Sequence, residues 1–309
     1  MTKSETTKTK GADYDAVIIG AGFGGLYSVY KLRDEQGLNV LGFDSAGDVG
    51  GTWYWNRYPG AVSDTESYVY RYSFSGELLQ KGRWKTRYLT QPEILDYMNE
   101  VADHYDLRRS YQFGTKVTAT HFDDATGLWR VTTDKGQTVT AKYLITGLGL
   151  LSAVNKPNFK GIDSFKGQIM HTGAWAQDAN LEGKRVGVIG TGSTGVQVII
   201  ATAPIAKHLT VFQRSAQYVV PIGNTPQSAE VIANQKANYD DIWKQVKSSV
   251  VAFGFEESTI PAETASEEVR NAVFEAAWQR GGGFYFMFGT FCDIATSQIA
   301  FRSRARKII

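Results

Sequence analysis

Residues 15–44 read DAVIIGAGFGGLYSVYKLRDEQGLNVLGFD and predict a strand, a glycine-rich turn, a helix and a second strand. The turn places Gly20, Gly22 and Gly25 in the pattern GxGxxG. The first glycine permits the tight turn, the second lets a pyrophosphate approach the backbone, and the third lets helix and strand pack closely. Asp44 ends the second strand 24 residues after Gly20, where a carboxylate accepts hydrogen bonds from a ribose. The segment therefore predicts a dinucleotide-binding unit.

A second copy of this pattern begins with the strand RVGVI and the turn GTGSTG. Gly190, Gly192 and Gly195 repeat the glycine spacing, and Arg214 stands 24 residues after Gly190. A carboxylate at this place suits a free ribose 2′-hydroxyl, whereas an arginine offers a charge-assisted grip on a 2′-phosphate. We therefore predict FAD or NAD at the first turn and NADP(H) at the second. Two such sites indicate hydride transfer between a nicotinamide and a flavin.

Composition excludes several other classes of protein. The 309 residues include 33 Lys+Arg and 31 Asp+Glu, so the net charge of +2 does not suit a nucleic-acid binder. The single cysteine, Cys292, forms no intrachain disulfide and is typical of a reducing cytoplasm. We expect no membrane span, because no run approaches about 18 apolar residues. Four histidines and one cysteine show no metal-ligand spacing, and no metal is expected.

Two further motifs carry a family resemblance. The stretch GGTWYWNRYPGAVSD, from Gly50 to Asp64, matches the pattern GGxWxxxxYPGxxxD. The stretch FKGQIMHTGAW supplies a second fingerprint at four positions, Phe165, Gly167, His171 and Trp175. The chain therefore resembles the Baeyer–Villiger monooxygenases, flavoproteins that depend on FAD and NADPH, and is most similar to their cyclohexanone-type members.

The resemblance implies a role for each matching residue. The FAD phosphates and ribose would contact Gly20, Gly22, Gly24, Gly25 and Asp44. The flavin region would include Gly51, Thr52, Trp53, Trp55 and Tyr70. The NADP pyrophosphate would contact Thr191, Gly192, Ser193, Thr194, Gly195 and Gln197, and the 2′-phosphate would contact Arg214 and Ser215. Asp64 would lie beside the flavin and support a catalytic arginine, and His171 would transmit domain motion rather than transfer protons.

The expected fold is α/β, with two dinucleotide-binding (Rossmann-like) domains and a helical insertion. We expect a disordered tail over residues 1–14 and the N-terminal portion of an FAD-binding domain over residues 15–150. Part of an NADP-binding domain would span residues 151–221, and a helical segment residues 222–309. Asp123 and Gly127 predict a hairpin turn within residues 117–143.

The function that the resemblance implies is insertion of one oxygen atom of dioxygen into a cyclic ketone such as cyclohexanone, giving a lactone. The expected partners are a small ketone and dioxygen, with neither nucleic acid nor membrane, and the chain would be a monomer. Family members are longer, and the resemblance implies that the catalytic arginine lies beyond residue 309. Two alternatives stay open, a non-catalytic FAD/NADP-binding fragment and a related flavin-containing monooxygenase. A flavin disulfide reductase would need a redox cysteine pair.

Overall fold

The computed structural model describes residues 11–82, 84–176, 178–215, 217, 219–249, 258, 260–261 and 264–281. These residues divide into two compact units. The first contains the described residues of Met1–Ala61, Gln91–Lys184 and Ala201–Lys207, and the second those of Val62–Thr90, Arg185–Ile200 and His208–Ile309.

The described strands and helices are as follows in chain order. The strands are β1 (Tyr14–Ile19), β2 (Val40–Phe43), β3 (Val62–Glu66), β4 (Tyr88–Thr90), β5 (Tyr111–Gln112), β6 (Val117–Asp123), β7 (Leu128–Thr133), β8 (Thr138–Thr146), β9 (Arg185–Ile189) and β10 (His208–Phe212). The α-helices are α1 (Phe23–Val29), α2 (Thr52–Trp55), α3 (Gly76–Lys81), α4 (Gln91–His104), α5 (Ser193–Thr202), α6 (Ala229–Ala237), α7 (Tyr239–Ser248) and α8 (Glu267–Arg280). A π-helical segment, Tyr30–Glu35, continues α1, and short 3₁₀ turns span Arg108–Ser110 and Ile162–Ser164.

The first unit is built on a mixed six-stranded sheet with the order β5-β2-β1-β8-β7-β6. The pairs β5–β2, β2–β1 and β1–β8 are parallel, and β8–β7 and β7–β6 are antiparallel. Residues 15–18 of the central strand β1 are all buried, as expected for a strand covered on both faces. Val17, Leu41, Phe43 and Val131 form the centre of the core together with buried residues of β8.

The predicted hairpin turn is confirmed between β6 and β7. Asp123 pairs with Leu128 at the end of the ladder, and Gly127 adopts φ +68° in the turn. The Asp123 carboxylate accepts a hydrogen bond of 3.0 Å from the amide of Ala125, which closes the turn from within.

The second unit contains a parallel pair, β9–β10, joined through α5, and an antiparallel pair, β3–β4. Three of its helices begin at serine side chains that accept from an amide three residues later, which satisfies a donor that the helix leaves unpaired. These caps are Ser75 on α3, Ser228 on α6 and Ser266 on α8. Helices α6, α7 and α8 fall in the region that we expected to be helical. The rest of that expectation, including Cys292, lies outside the described residues.

Residues 62–90 belong to the second unit, although the sequence placed them with residues 15–150. The side-chain amide of Asn224 accepts from the Tyr88 N–H at 2.9 Å and donates to the Tyr88 oxygen at 3.2 Å, as a neighbouring strand would. Arg87 donates to the main-chain oxygens of Arg280 and Gly281, each at 2.8 Å, and so caps the end of α8. These bonds join the segment to residues more than 130 positions later.

Neither a bilayer-spanning helix nor a metal-binding cluster occurs in the described part of the chain. Its helices are too short or too polar to cross a membrane. No group of three His, Cys, Asp or Glu side chains there has the arrangement of a metal site.

Candidate dinucleotide-binding sites

The first glycine turn joins β1 to α1 at the carboxyl end of the parallel strands. Gly20 adopts φ +105°, and its N–H donates to the oxygen of Phe43 on β2 at 2.8 Å. The helical bonds begin where Leu26 N–H donates to Gly22 O at 3.0 Å. The amides before Leu26 therefore have no partner within the helix, as is required where a pyrophosphate binds.

The third glycine is required for internal packing, whereas the neighbouring Gly24 is not. A Cβ atom added to Gly25 would overlap the main-chain oxygen of Gly20. A Cβ added to Gly24 would meet no atom within 4 Å in the part of the chain that the structure describes. Gly25 therefore sets the close approach of helix and strand, and Gly24 leaves open space where the resemblance places the FAD phosphates.

A second glycine pair, Gly50 and Gly51, packs directly on this turn. Gly50 N–H donates to Ala21 O at 3.0 Å, and a Cβ added to Gly51 would lie 2.7 Å from the Cα of Gly22. Gly51 also has φ +52°. This backbone contact places α2, which carries Thr52, Trp53 and Trp55, next to the turn. Trp53 is half-buried and Trp55 is 41% exposed.

Asp44 is buried and holds the turn from the end of β2. Its Oδ2 accepts from the Ala21 amide at 2.6 Å, and its Oδ1 accepts from the Ala46 amide at 2.7 Å. Each carboxylate oxygen has a second lone pair, so both can still accept from a ribose hydroxyl. The carboxylate acceptors fit the hydroxyl groups of a ribose, and the carboxylate also has a structural function that the sequence did not reveal.

Two residues that the sequence analysis missed also contact this turn. The Tyr111 hydroxyl donates to the Gly20 oxygen at 3.2 Å, and burial raises the pKa of that hydroxyl. The oxygen of Gly147, just after β8, lies so close that a Cβ on Gly20 would overlap it. Gly147 lies in the stretch TGLG directly after β8, and two glycines at the end of a strand can signal a close backbone approach. A lone tyrosine gives no such signal.

Removing the Tyr111 hydroxyl should loosen the turn without breaking it. For Tyr111→Phe we expect the free energy of unfolding to fall by about 1 kcal/mol, because one buried hydrogen bond is lost while the ring remains. Urea unfolding measures this change. Tyr143→Phe, on a half-exposed ring of β8, is the matched control. An equal loss in both variants would show that the Gly20 contact contributes nothing specific.

The second glycine turn, between β9 and α5, repeats the main-chain hydrogen bonds of the first. Gly190 adopts φ +103°, and its N–H donates to Phe212 O at 2.9 Å. Val196 N–H donates to Gly192 O at 2.9 Å, and a Cβ on Gly195 would overlap the Gly190 oxygen. A Cβ on Gly190 or Gly192 would meet no atom of the described residues within 4 Å. The turn therefore has open space for a pyrophosphate beside Thr191, Ser193 and Thr194.

The two turns differ in the residue that directly follows the last paired residue of the second strand. In the first, Phe43 pairs with Ile19 and is followed by Asp44. In the second, Phe212 pairs with Ile189 and is followed by Gln213. Gln213 therefore stands where Asp44 stands, and Arg214 lies one residue further, although both charged residues follow their first glycine by 24 positions.

The substitution of glutamine for aspartate has a chemical consequence. The Gln213 amide donates to the Thr191 hydroxyl at 3.0 Å and so ties the strand end to the glycine turn without a negative charge. Arg214 and Ser215 follow it and are exposed. A neutral side chain followed by an arginine and a hydroxyl is a donor set that fits a 2′-phosphate.

Three predicted site residues of the second unit remain. Asp64 lies on β3, Tyr70 follows that strand, and Gln197 lies on α5. Tyr70 is half-buried just after β3. Gln197 donates its side-chain amide to the oxygen of Val62. Asp64 keeps an accessible side chain, yet desolvation raises the pKa of its carboxyl above the ordinary 3.8. Ionised Asp64 therefore costs the folded protein stability, which is typical of a functional group.

Removing the Asp64 charge should stabilise the protein at neutral pH. Since the folded pKa is raised, the cost is absent below about 3.8 and grows as the pH rises through the folded pKa. For Asp64→Asn we expect a melting temperature above that of the wild type at pH 7 and equal to it at the lowest pH at which both fold. A lower melting temperature for Asp64→Asn at pH 7 would contradict this interpretation.

The second fingerprint forms a local turn in the first unit. His171 and Ala174 form an isolated bridge, and the His171 Nδ1 accepts from the Gly173 amide at 3.1 Å. Gly167 packs under the Phe165 ring, which is 61% exposed, and Trp175 is half-buried. His171 therefore stabilises its own turn in this unit, and its role in domain motion stays a prediction.

The mixed sheet and the two glycine turns define an α/β protein of the dinucleotide-binding class. Residues 14–232 match the model of the flavin-binding monooxygenase-like family. Because this match covers more than half of the chain, the chain belongs to that family.

Named relatives agree with this assignment. The chain is 79% identical over 298 residues to a Baeyer–Villiger monooxygenase of Pseudooceanicola batsensis, covering 96% of this chain and 55% of the relative. It is 59% identical over 288 residues to cyclohexanone 1,2-monooxygenase of Acinetobacter sp., covering 93% and 53%. The crystal structure of cyclohexanone monooxygenase from Rhodococcus sp. Phi1 bound to NADP⁺ superposes with a TM-score of 0.91 at 58% identity, covering 96% and 57%. The expected resemblance to Baeyer–Villiger monooxygenases is confirmed, and the chain spans about half the length of these relatives.

Proposed function

We propose that this chain belongs to a Baeyer–Villiger monooxygenase of the cyclohexanone type, with two Rossmann-like domains and a helical insertion. FAD binds at the turn that contains Gly20 and Gly22, and NADP(H) binds at the turn that contains Gly190 and Gly192. The observation that carries this proposal is the pair of matching turns with different strand ends. Asp44 offers a ribose acceptor at one, whereas Gln213 and Arg214 offer a phosphate site at the other.

The reaction that the relatives' names support is lactone formation from a cyclic ketone. One oxygen atom of dioxygen enters a carbon–carbon bond beside the carbonyl, and the other leaves as water with two electrons from NADPH. When bound, FAD and NADPH supply the redox chemistry. The residues of this chain bind and orient the two nucleotides, and Asp64 provides a negative charge whose partner is a catalytic arginine. The protein would act as a monomer. It would lie in a reducing cytoplasm, the environment that its single cysteine favours.

The experiment separates binding from turnover. The purified protein is incubated with FAD, freed of unbound flavin and examined for its yellow absorbance, then mixed with NADPH and cyclohexanone. In a full-length protein that contains this chain and the catalytic arginine, retained flavin with caprolactone formed at a rate comparable to NADPH consumption supports the proposal. The 309 residues alone are expected to be inactive toward the ketone and to release the oxygen as hydrogen peroxide. Retained flavin with hydrogen peroxide and no lactone from that full-length protein as well favours the alternative of a non-catalytic nucleotide-binding fragment. Oxygenation of an amine or sulfide in place of the ketone favours a related flavin-containing monooxygenase.

A further inference from the structure

Gln197 connects the second glycine turn to the strand that carries Asp64. Its Nε2 donates a hydrogen bond of 3.0 Å to the main-chain oxygen of Val62, 135 residues earlier in the chain. Gln197 follows Val196, whose N–H already makes the first bond of α5. The Gln197 amide N–H therefore lies beyond the amides that can face a pyrophosphate. Its side chain reaches a neighbouring strand of the same unit.

The strand that Gln197 contacts is irregular where it carries Asp64. Val62 of β3 pairs with Thr90 of β4, and Glu66 pairs with Tyr88. Between these two pairs, β3 advances by four residues while β4 advances by only two. The extra residues form a bulge, a device that redirects a side chain and occurs frequently beside functional sites. Within it, the Ser63 hydroxyl accepts from the Thr65 amide at 3.0 Å and donates to the Thr65 oxygen at 3.2 Å. Asp64 stands at the centre of this bulge.

Both ends of the bulge are held by side chains from other elements. At the far end, the Glu66 carboxylate accepts from Arg87 at 2.6 Å, and Arg87 also binds the end of α8. At the near end, the Gln197 amide holds Val62. The near end is thus connected by one hydrogen bond to the helix whose first amides form the candidate pyrophosphate site.

We propose that Gln197 is a positioning residue, and that binding of NADP(H) at the start of α5 is transmitted through its hydrogen bond with Val62 to the bulge that directs Asp64. This inference rests on the proposed function, because it takes α5 as the coenzyme site and Asp64 as the working carboxylate. It gives Gln197 a role between the two, distinct from direct contact with the coenzyme.

Hydrogen exchange measured by mass spectrometry tests this link without measuring activity. Gln197→Met removes the donor while keeping the side-chain length, and Gln279→Met makes the same change on the exposed face of α8. In the wild type and in Gln279→Met, NADP⁺ should slow exchange at residues 191–195 and at residues 63–66. In Gln197→Met, the slowing should persist at residues 191–195 and weaken by about 2- to 10-fold at residues 63–66, the value of one hydrogen bond.

The possible outcomes distinguish the inference from the proposed function. Equal slowing at residues 63–66 in the wild type and in Gln197→Met overturns the inference alone. No effect of NADP⁺ at residues 191–195 in the wild type overturns the proposed coenzyme site and the inference with it. If Gln197→Met does not fold, Gln197→Glu, whose carboxylate cannot donate at neutral pH, is measured in the same way and should show the same selective weakening.

Discussion

Replacing Arg214 with alanine is expected to raise the Michaelis constant for NADPH by about 10- to 150-fold while changing that for NADH little. The range corresponds to the loss of a charge-assisted contact worth roughly 1.5–3 kcal/mol. The effect is selective because the 2′-phosphate is the group by which the two coenzymes differ, and Gln213 leaves Arg214 as the first charged residue after β10. Steady-state kinetics with both coenzymes measure it.

The control is Arg185→Ala, which removes the same charge at the opposite end of the parallel pair β9–β10. It should leave both Michaelis constants nearly unchanged, since an exposed charge at that distance is largely screened. Equal effects of Arg214→Ala on NADPH and NADH would show that Arg214 does not recognise the 2′-phosphate.

Gly25→Ala is expected to destabilise the protein by about 3 kcal/mol and to abolish retention of FAD. The added methyl group would overlap the Gly20 oxygen, and both groups are backbone, so no side chain can rotate to relieve the contact. Helix α1 must then move away from β1, which opens the turn that the flavin nucleotide requires. Urea unfolding measures the first effect, and the flavin absorbance of the purified protein measures the second.

The neighbouring glycine provides a closely matched control. Gly24→Ala adds the same methyl group one residue earlier in the same helix, where it meets no protein atom within 4 Å. We expect its stability to equal or exceed that of the wild type, because alanine favours a helix more than glycine does. If Gly24→Ala loses flavin while its stability is unchanged, the ligand itself occupies the open space beside Gly24. Equal destabilisation by both changes would refute the packing argument.

The structural features that could be predicted from the sequence are those that depend on a local pattern of residues. The strand before Gly20, the two glycine turns and the hairpin turn at Asp123 each follow from neighbouring residues and the backbone conformations they permit. The contacts of Tyr111 and Gly147 on the first turn could not be predicted in this way. They come from segments about 90 and 130 residues later, and their positions depend on which strands flank β1.

Two other features needed tertiary information for a similar reason. Residues 62–90 follow the first βαβ unit in sequence, yet Asn224 and Arg87 join them to the second unit through hydrogen bonds that composition does not signal. The Asp44 carboxylate was expected to accept from a ligand, and the structure adds two amides of the chain itself. A pattern identifies the residue type that a site requires, whereas its internal partners depend on the folded backbone.

The one-residue offset between the two turns decides where an engineer would have to act to reverse the coenzyme preference. Counting along the sequence from Gly190 points to position 214 for a new acidic residue. The strand register points to position 213, the place from which Asp44 reaches its own turn. A redesign guided by alignment of the two copies alone would discard the proposed phosphate site without creating a ribose acceptor. Its product would use either coenzyme poorly.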